Sequence, residues 1–346
     1  MTPAGILPPG TRAGGRPSRG LRAAAWAVLA AGSGLLLLLG ICLLVDGRAG
    51  DPPWPLPRPS PDTPGETFRV AVLGDAQKGT GTLARLLEAV RESRADLILQ
   101  TGDLVASNDE GHYRLAALLF RRSGLRVPMA VVPGNHDLKG DPSRFERRIG
   151  PREQTFRRGR VAFFLRDDAF GDPPDPQRLE SEIARVPPGD AVVLAMHVPP
   201  FDEAGDLLPR FGPFVRWLRG SRVRYLLCGQ LHRYVRRTLG GTVVIANGVG
   251  GDYESWHLRQ KAFLTILEVD GTSITDRPVA CPPAHGLAAN LEHLALGHVG
   301  EAFRTHPWGG GTAAALLAGV VALAAAFLRR RGRPNGPAPR DVSPPG

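Results

Sequence analysis

The sequence predicts an α/β fold in which two β-sheets pack face to face and helices cover their outer faces, flanked by two transmembrane helices. Two features of the domain predict it. The first half alternates apolar strands with helices, and the second half is rich in strands and hairpins. Apolar residues make up 42% of 346 residues, which is enough for a substantial core.

The first half of the domain is predicted to form a parallel sheet. Strands are predicted over residues 68–75, 95–103 and 127–134, with helices over 82–94 and 112–122 between them. Alternation at this spacing is typical of βαβ units with buried parallel strands.

The second half is predicted to add a second sheet. Its predicted elements are a hairpin over 154–168, a helix over 178–186, strands over 191–200 and 223–230, and hairpins over 234–248 and 262–279. The chain contains no internal repeat at the periods of solenoid proteins.

Two uncharged spans predict membrane helices. Residues 23–45 are longer than the roughly 20 residues that cross a bilayer core, and residues 308–328 form a second, Gly- and Ala-rich span. A cleaved signal peptide is the alternative for the first span, and a buried soluble helix is the alternative for the second.

The charge distribution gives an orientation to these spans. The net charge is +10, of which residues 1–22 and 329–346 hold +8. Because arginines cluster on the cytoplasmic side of membrane helices, both termini are predicted to be cytoplasmic and residues 46–307 extracytoplasmic. Residues 49–328 carry only +2, which argues against a nucleic-acid surface and against a nuclease.

The regions that join the domain to the spans have distinct compositions. Residues 46–66 are rich in proline and are predicted to be an extended linker, followed by the domain at 67–280. Residues 281–307 carry apolar side chains near helical spacing and predict an amphipathic juxtamembrane helix. Cys228 and Cys281 are either a disulfide or separate buried thiols.

Polar side chains follow five of the predicted strands. These side chains are Asp75 and Gln77, then Asp103, then Asn135, His136 and Asp137, then His197, and finally Gln230 and His232. In α/β sheets, ligands gather outside the carboxyl ends of the strands, so the five loops are expected to meet at one crevice. Carboxylates and imidazoles crowded at one point need a positive partner, and a pair of divalent cations would supply it.

The order D-x-Q, GD, GNHD, H and GQ-x-H resembles the calcineurin-like metallophosphoesterases, whose pattern is D-x-H, GD, GNH[D/E], H and GH-x-H. The resemblance spans about residues 67–280 and implies a four-layer α/β/β/α sandwich with a two-metal centre. The implied metal ligands are Asp75, Gln77 and His232 for the first metal, Asp103 as the bridge, and Asn135, His197 and Gln230 for the second. The resemblance also implies that His136 is the acid or phosphate-contacting group and that Asp137 holds its ring.

Gln77 and Gln230 depart from the family pattern, which has histidine at both positions. A glutamine carbonyl is a neutral, hard oxygen donor, so the site is expected to prefer Mn²⁺ or Mg²⁺ to Zn²⁺ or Fe. The predicted function is hydrolysis of a phosphomonoester or phosphodiester by a membrane-anchored enzyme. The alternative is a non-catalytic metal-binding or sensor module on a degenerate version of the fold.

Overall fold

The computed structural model describes residue 32, residues 53–77, residues 79–247 and residues 262–281. All of them except Gly32 lie in one compact unit, Ile41–Gly300. The predicted spans, both basic termini and the juxtamembrane segment lie outside the described residues, apart from Gly32 and Cys281. Within the described ranges, no helix has the length and apolar character needed to cross a bilayer.

The described unit contains twelve strands and six α-helices. In chain order they are β1 (Asp62–Thr63), β2 (Thr67–Leu73), α1 (Thr80–Ser93), β3 (Leu97–Gln100), α2 (Glu110–Ser123), β4 (Met129–Val131), α3 (Asn135–Leu138), α4 (Pro142–Arg148), β5 (Gln154–Arg158), β6 (Val161–Leu165), α5 (Pro176–Ile183), β7 (Ala191–Ala195), α6 (Gly212–Gly220), β8 (Val223–Cys228), β9 (Tyr234–Leu239), β10 (Thr242–Asn247), β11 (Ala262–Asp270) and β12 (Ser273–Cys281).

The strands form two mixed sheets. The five-stranded sheet has the order β12-β11-β2-β3-β4, in which β2, β3 and β4 are parallel and β11 and β12 are antiparallel additions. The seven-stranded sheet has the order β1-β5-β6-β7-β8-β10-β9, in which β6, β7, β8 and β10 run parallel. The parallel strands of each sheet therefore end at a common edge.

Three hydrophobic clusters separate four layers. Along β2, Val70 and Val72 pack between the two sheets, whereas Ala71 and Leu73 pack against α1 and α2. This alternation follows from the two-residue period of a strand that is buried on both faces. A third cluster lies between the seven-stranded sheet and helices α5 and α6. The α/β fold with two facing sheets and outer helices is confirmed.

The sequence analysis did not predict helix α6. Its sequence begins Gly-Pro, which resembles a loop, but Pro213 lies in the first turn, where a missing amide costs no hydrogen bond. Phe214, Val215 and Leu218 then share a buried face against the sheet. Helices α3 and α4 were also not predicted, because each spans two turns or fewer.

The Pro-rich segment differs from its prediction as an extended linker. From residue 53 onward it packs on the domain: Leu56 is buried, and the Trp54 ring lies 5.2 Å from that of Phe120. The Pro57 carbonyl accepts a hydrogen bond from the Met129 amide at 2.8 Å, and β1 pairs with β5. Proline has no amide hydrogen to donate to a neighbouring strand, but its carbonyl oxygen can accept a hydrogen bond. Such a segment can therefore pair along the edge of a sheet.

The two cysteines of the domain are free thiols in the structure. Both Cys228 and Cys281 are buried, and burial raises the pKa of each thiol. Neither is in the ionised form that reacts readily at neutral pH.

Candidate metal centre

The ends of three parallel strands bring acidic and imidazole side chains to one point. Asp75 follows β2, Asp103 follows β3 and His197 follows β7. All three side chains are buried, and each offers one ligand atom within 4.8 Å of the other two. The expected convergence of strand ends therefore occurs for these residues.

The backbone at the centre is strained. Of the six non-glycine residues with positive φ in the described ranges, five are sequence-predicted ligands, and the sixth, Arg94, ends helix α1. The five are Asp75, Gln77, Asp103, Gln230 and His232. A left-handed conformation costs an ordinary residue about 1–2 kcal/mol, so this concentration is typical of a functional site.

Asp103 lies at the middle of the cluster. Its Oδ1 accepts a hydrogen bond from the His136 amide at 2.9 Å and lies 3.6 Å from Nε2 of His197. Its Oδ2 accepts a hydrogen bond from the side-chain amide of Gln77 at 2.8 Å. One oxygen thus lies toward His197 and the other toward Gln77, as a bridging ligand requires.

His197 is oriented for ligation through Nε2. Its Nδ1–H donates to the Thr101 carbonyl at 2.9 Å, so Nε2 carries the lone pair, 3.3 Å from Oδ1 of Asn135. Burial lowers the pKa of His197, but the charges of Asp103, Asp75 and Asp168 outweigh this effect, and the pKa is raised.

Asp75 lies beside Gln230 and His232. Both of its oxygens accept a hydrogen bond from the Gln230 amide at 3.1 Å, and Oδ1 lies 3.6 Å from Nε2 of His232. Burial raises the pKa of Asp75 to about 6; the charges of His197 and His232 lower it, and that of Asp103 raises it.

The two glutamines occupy different positions. The Nε2 atom of Gln77 donates to Asp103 and lies 3.5 Å from Nε2 of His232, so its side chain lies among the predicted ligands. Gln230 contacts Asp75 through its backbone amide, while its side chain lines a cavity beside the centre together with Asn135.

The residues present fit a divalent cation. Asp75 and Asp103 are 0% and 1% exposed. Within the described part of the chain they form ion pairs with histidine alone, and neither pairs with an arginine or a lysine. Two buried carboxylates at such close range repel each other and lose hydration, and a cation between them would compensate both costs. Carboxylate, imidazole and amide oxygen are donors that divalent cations accept.

His136 projects from the first turn of α3, beside Asp103. Its Nδ1–H donates to the Ala106 carbonyl at 2.7 Å, which leaves Nε2 available for a proton transfer. The prediction that Asp137 holds this ring is wrong. The carboxylate of Asp137 accepts hydrogen bonds from the backbone amides of Gly134, Leu104 and Val105 instead.

The reason for this difference is that Asp137 is fully buried beneath the loop and fixes the backbone that carries the site. Its three amide contacts join the loop after β3 to the turn before α3. The pKa of Asp137 is raised to about 7, mainly by burial and also by the charge of Asp103, against the lowering effect of the amide hydrogen bonds.

Glycines permit the close approach of these loops. A Cβ atom on Gly134 would lie 2.2 Å from Oδ1 of Asp103, and one on Gly229 would lie 2.9 Å from Oδ2 of Asp75. A Cβ on Gly102, whose φ is +101°, would lie 2.3 Å from Nδ1 of His197. A side chain at any of these positions would displace a predicted ligand.

Asp168 was not among the site residues predicted from the sequence. Its carboxylate is buried and accepts the backbone amides of His197 at 2.6 Å and Val198 at 2.9 Å. Burial raises the pKa of Asp168 to about 7, against the opposing effects of the His197 charge and the two amides. Its position just past the carboxyl end of β6 was the available signal.

Part of this chain matches a known protein family. Residues 68–234 match the model of the calcineurin-like phosphoesterase family. No curated protein is significantly similar in sequence to this chain.

Several solved structures are similar to this chain. A purple acid phosphatase from yellow lupin (Lupinus luteus) is 14% identical, with a TM-score of 0.51, and the match covers 64% of this chain and 52% of the lupin chain. The chain thus spans about half the length of the lupin enzyme. GAP50 of Plasmodium, described as the anchor in the inner membrane complex, is 14% identical over 67% of this chain and 95% of its own, with a TM-score of 0.47. A dimetal phosphatase from Danio rerio is 13% identical over 62% of this chain and 99% of its own, with a TM-score of 0.44.

At 14% identity the likeness to the lupin enzyme concerns the fold alone, whereas the family match rests on the sequence itself. The predicted resemblance is therefore confirmed over the part of the chain that holds all five motifs. Residues 68–234 of this chain thus match the calcineurin-like phosphoesterases in sequence, and the fold that holds them extends to Cys281.

Proposed function

We propose that the protein is a metal-dependent phosphoesterase that hydrolyses a phosphomonoester or a phosphodiester. The observation that carries the proposal is the buried cluster of Asp75, Asp103 and His197, whose ligand atoms lie within 4.8 Å of one another inside a phosphoesterase domain. In the reaction the bond between phosphorus and the ester oxygen breaks, water supplies the new oxygen on phosphorus, and the alcohol leaves with a proton.

The proposed ligands divide into two sets that share Asp103. Asp75, Gln77 and His232 would hold one cation, Asn135, His197 and Gln230 the other, and Asp103 both. Divalent ions bound there would supply Lewis acidity and neutralise charge on the phosphoryl oxygens. The two glutamines favour Mn²⁺ or Mg²⁺, because they replace nitrogen donors with neutral oxygen donors.

His136 is the proposed acid. Its ring is fixed through Nδ1 by the Ala106 carbonyl, so Nε2 is the atom that would hold or deliver a proton at the leaving oxygen. Its backbone amide meanwhile supports Asp103, which links the position of the acid to that of the cluster.

Membrane attachment completes the proposal. The uncharged spans at 23–45 and 308–328 and their arginine-rich flanks support a chain with both termini in the cytoplasm and the domain on the extracytoplasmic side. The lipid bilayer would then be a partner of the protein, and nucleic acid would not. A reporter fused to the C-terminus should be inaccessible from outside the cell, and an accessible reporter would reverse this orientation.

A second candidate function is a non-catalytic module on the same fold. The hydrogen bond from Gln77 to Asp103 favours it, since an internal donor at 2.8 Å satisfies a carboxylate oxygen that a metal would otherwise bind. The two functions differ in whether metal supports turnover.

The test is a phosphatase and diesterase assay of the purified full-length chain with Mn²⁺, Mg²⁺ and Zn²⁺, beside the Asp103→Asn variant. The proposal predicts turnover with Mn²⁺ or Mg²⁺ that the variant lacks. A folded wild-type protein that turns over neither substrate with any of the metals would support the module instead.

A further inference from the structure

A cavity of about 450 Å³ adjoins the candidate metal centre, and its lining differs from that of the centre itself. Asn135 and Gln230 belong to both. Most of the remaining lining is apolar, and this part comprises Ala169, Phe170, Val198, Pro199, Phe201, Leu208 and Leu231. A cavity of this size next to reactive groups is suited to the part of a substrate that is not transformed.

Exposed apolar side chains concentrate at this cavity. Among the described residues, the large apolar side chains that remain exposed are Phe170 at 66%, Leu207 at 44% and Leu118 at 37%. Phe170 lines the cavity, and Leu207 pairs through its backbone with Phe201, another lining residue. An exposed ring at the rim of a largely apolar cavity is placed to cover the hydrocarbon part of a ligand bound there.

The loop that carries Phe170 is tied to the metal centre. Asp168, two residues earlier, is buried and accepts the backbone amides of His197 and Val198. On the other side of Phe170, a Cβ atom on Gly171 would lie 2.7 Å from Nη2 of Arg210, so this guanidinium packs directly on the loop backbone. The backbone that carries Phe170 is therefore tied to the segment of His197, which limits where the ring can lie.

The charges of the lining exclude highly anionic ligands. Arg210 is the one basic side chain of this cavity in the described structure, and Asp202 and Glu203 are acidic. The Asp202 carboxylate accepts the amides of Gly205 and Asp206 at 2.8 Å and 2.9 Å, which fixes the acidic rim in place. A polyphosphate or a nucleic-acid strand would require several basic groups here.

We infer that this cavity binds the leaving alcohol of the substrate, and that the substrate class is a phosphate ester of an apolar alcohol, with Phe170 covering its hydrocarbon part. The inference rests on the proposed function, because it assigns the phosphate to the metal centre and the alcohol to the cavity. It adds a selectivity that the metal centre alone does not supply, since that centre contacts only the phosphoryl group.

The experiment compares n-hexyl phosphate with ethyl phosphate. Both are esters of primary alcohols with similar intrinsic reactivity, so the ratio of their kcat/KM values isolates the contribution of the hydrocarbon chain. Phosphate release is measured with the manganese-loaded full-length chain for the wild type, for Phe170→Ala and for Leu118→Ala, an exposed apolar residue outside the cavity.

We expect the wild-type ratio to favour the hexyl ester by about tenfold or more, since apolar contacts are worth about this much per one or two buried methylenes. Phe170→Ala should lower the ratio by about fivefold to tenfold, mainly through the KM of the hexyl ester, while Leu118→Ala keeps the wild-type ratio. A wild-type ratio near one, or a ratio that Phe170→Ala leaves intact, overturns the inference and leaves the phosphoesterase proposal standing.

A second measurement is independent of turnover. Calorimetry with hexylphosphonate and methylphosphonate, which are not hydrolysed, should give the same preference and the same loss in Phe170→Ala. If neither monoester is turned over but hexylphosphonate binds selectively, the proposed monoesterase activity fails and the apolar subsite stands. If neither phosphonate is preferred, or if Phe170→Ala weakens only the binding of the protein to lipid vesicles, the residue contacts a membrane surface and the inference is wrong.

Discussion

Gly134→Ala is expected to weaken metal binding strongly without unfolding the protein. Gly134 has φ of −103° and ψ of 178°, an extended conformation that alanine adopts freely, so the substitution introduces no backbone strain of its own. The added Cβ atom would, however, lie 2.2 Å from Oδ1 and 2.4 Å from the backbone nitrogen of Asp103. Rotation of the Asp103 side chain cannot relieve the second contact.

The size of the effect follows from these distances. Cβ contacts below 3.0 Å essentially do not occur, so Asp103 or its loop must move by about 0.8 Å. Metal–ligand distances tolerate about 0.2 Å, so the bridging carboxylate would leave coordination range of at least one cation. We expect the affinity for Mn²⁺ to fall about 100-fold, which is about 2.7 kcal/mol, and the free energy of unfolding to fall by about 1–3 kcal/mol from overpacking.

The assay is isothermal titration of Mn²⁺ into metal-free protein, with thermal unfolding measured on the same samples. Gly220→Ala is the matched control, because a Cβ atom at that position meets nothing within 4 Å. The control should bind Mn²⁺ as the wild type does. Wild-type affinity in folded Gly134→Ala would refute the assignment of Asp103 as a ligand.

Three further predictions concern the same centre. His136→Ala should reduce turnover by about 100-fold or more while manganese content stays constant by elemental analysis, because its backbone amide still supports Asp103; unchanged turnover would remove His136 from the reaction. Gln77→His should raise the affinity for Zn²⁺ relative to Mn²⁺ by about tenfold in a competition titration, and an unchanged ratio would place Gln77 outside the metal shell. Because burial raises the pKa of Asp75 to about 6 in the metal-free protein, a proton competes with the metal below that pH, and the apparent affinity for Mn²⁺ should fall about tenfold per pH unit there. The same raised pKa means that Asp75 holds its proton more tightly in the folded metal-free protein than in the unfolded chain. Its contribution to the stability of the metal-free protein therefore declines from about pH 4 to pH 6. The gain in Tm on adding Mn²⁺ should widen over that pH range, and a constant gain would contradict this prediction.

The layers of the fold could be predicted because the strands are buried on both faces. Residues 70–73 and 191–195 are almost continuously apolar, as expected for strands between a helix layer and a second sheet. The polar residue that follows each run marks the carboxyl edge of the sheet. For Asp75, Asp103 and His197, this rule alone was enough to bring the side chains together.

The parts that could not be predicted depend on contacts between distant loops. Nothing in the sequence GNHD indicates that Asp137 accepts amides from the loop after β3, or that a backbone carbonyl at Ala106 orients His136. The pairing of residues 62–63 with β5 likewise depends on a free edge of that strand. The proline-rich composition of the segment gives no sign of this pairing. Such contacts are fixed by the positions of elements that lie 30 or more residues apart.

The most direct test of the two-metal centre is anomalous diffraction from a crystal of the protein soaked in Mn²⁺. The account predicts two anomalous peaks, one on each side of Asp103, with the carboxylate of that residue coordinating both. The first ion should lie beside Asp75 and the second beside His197. A well-ordered crystal without a peak at this position, or with Asp103 bound to neither ion, would contradict it.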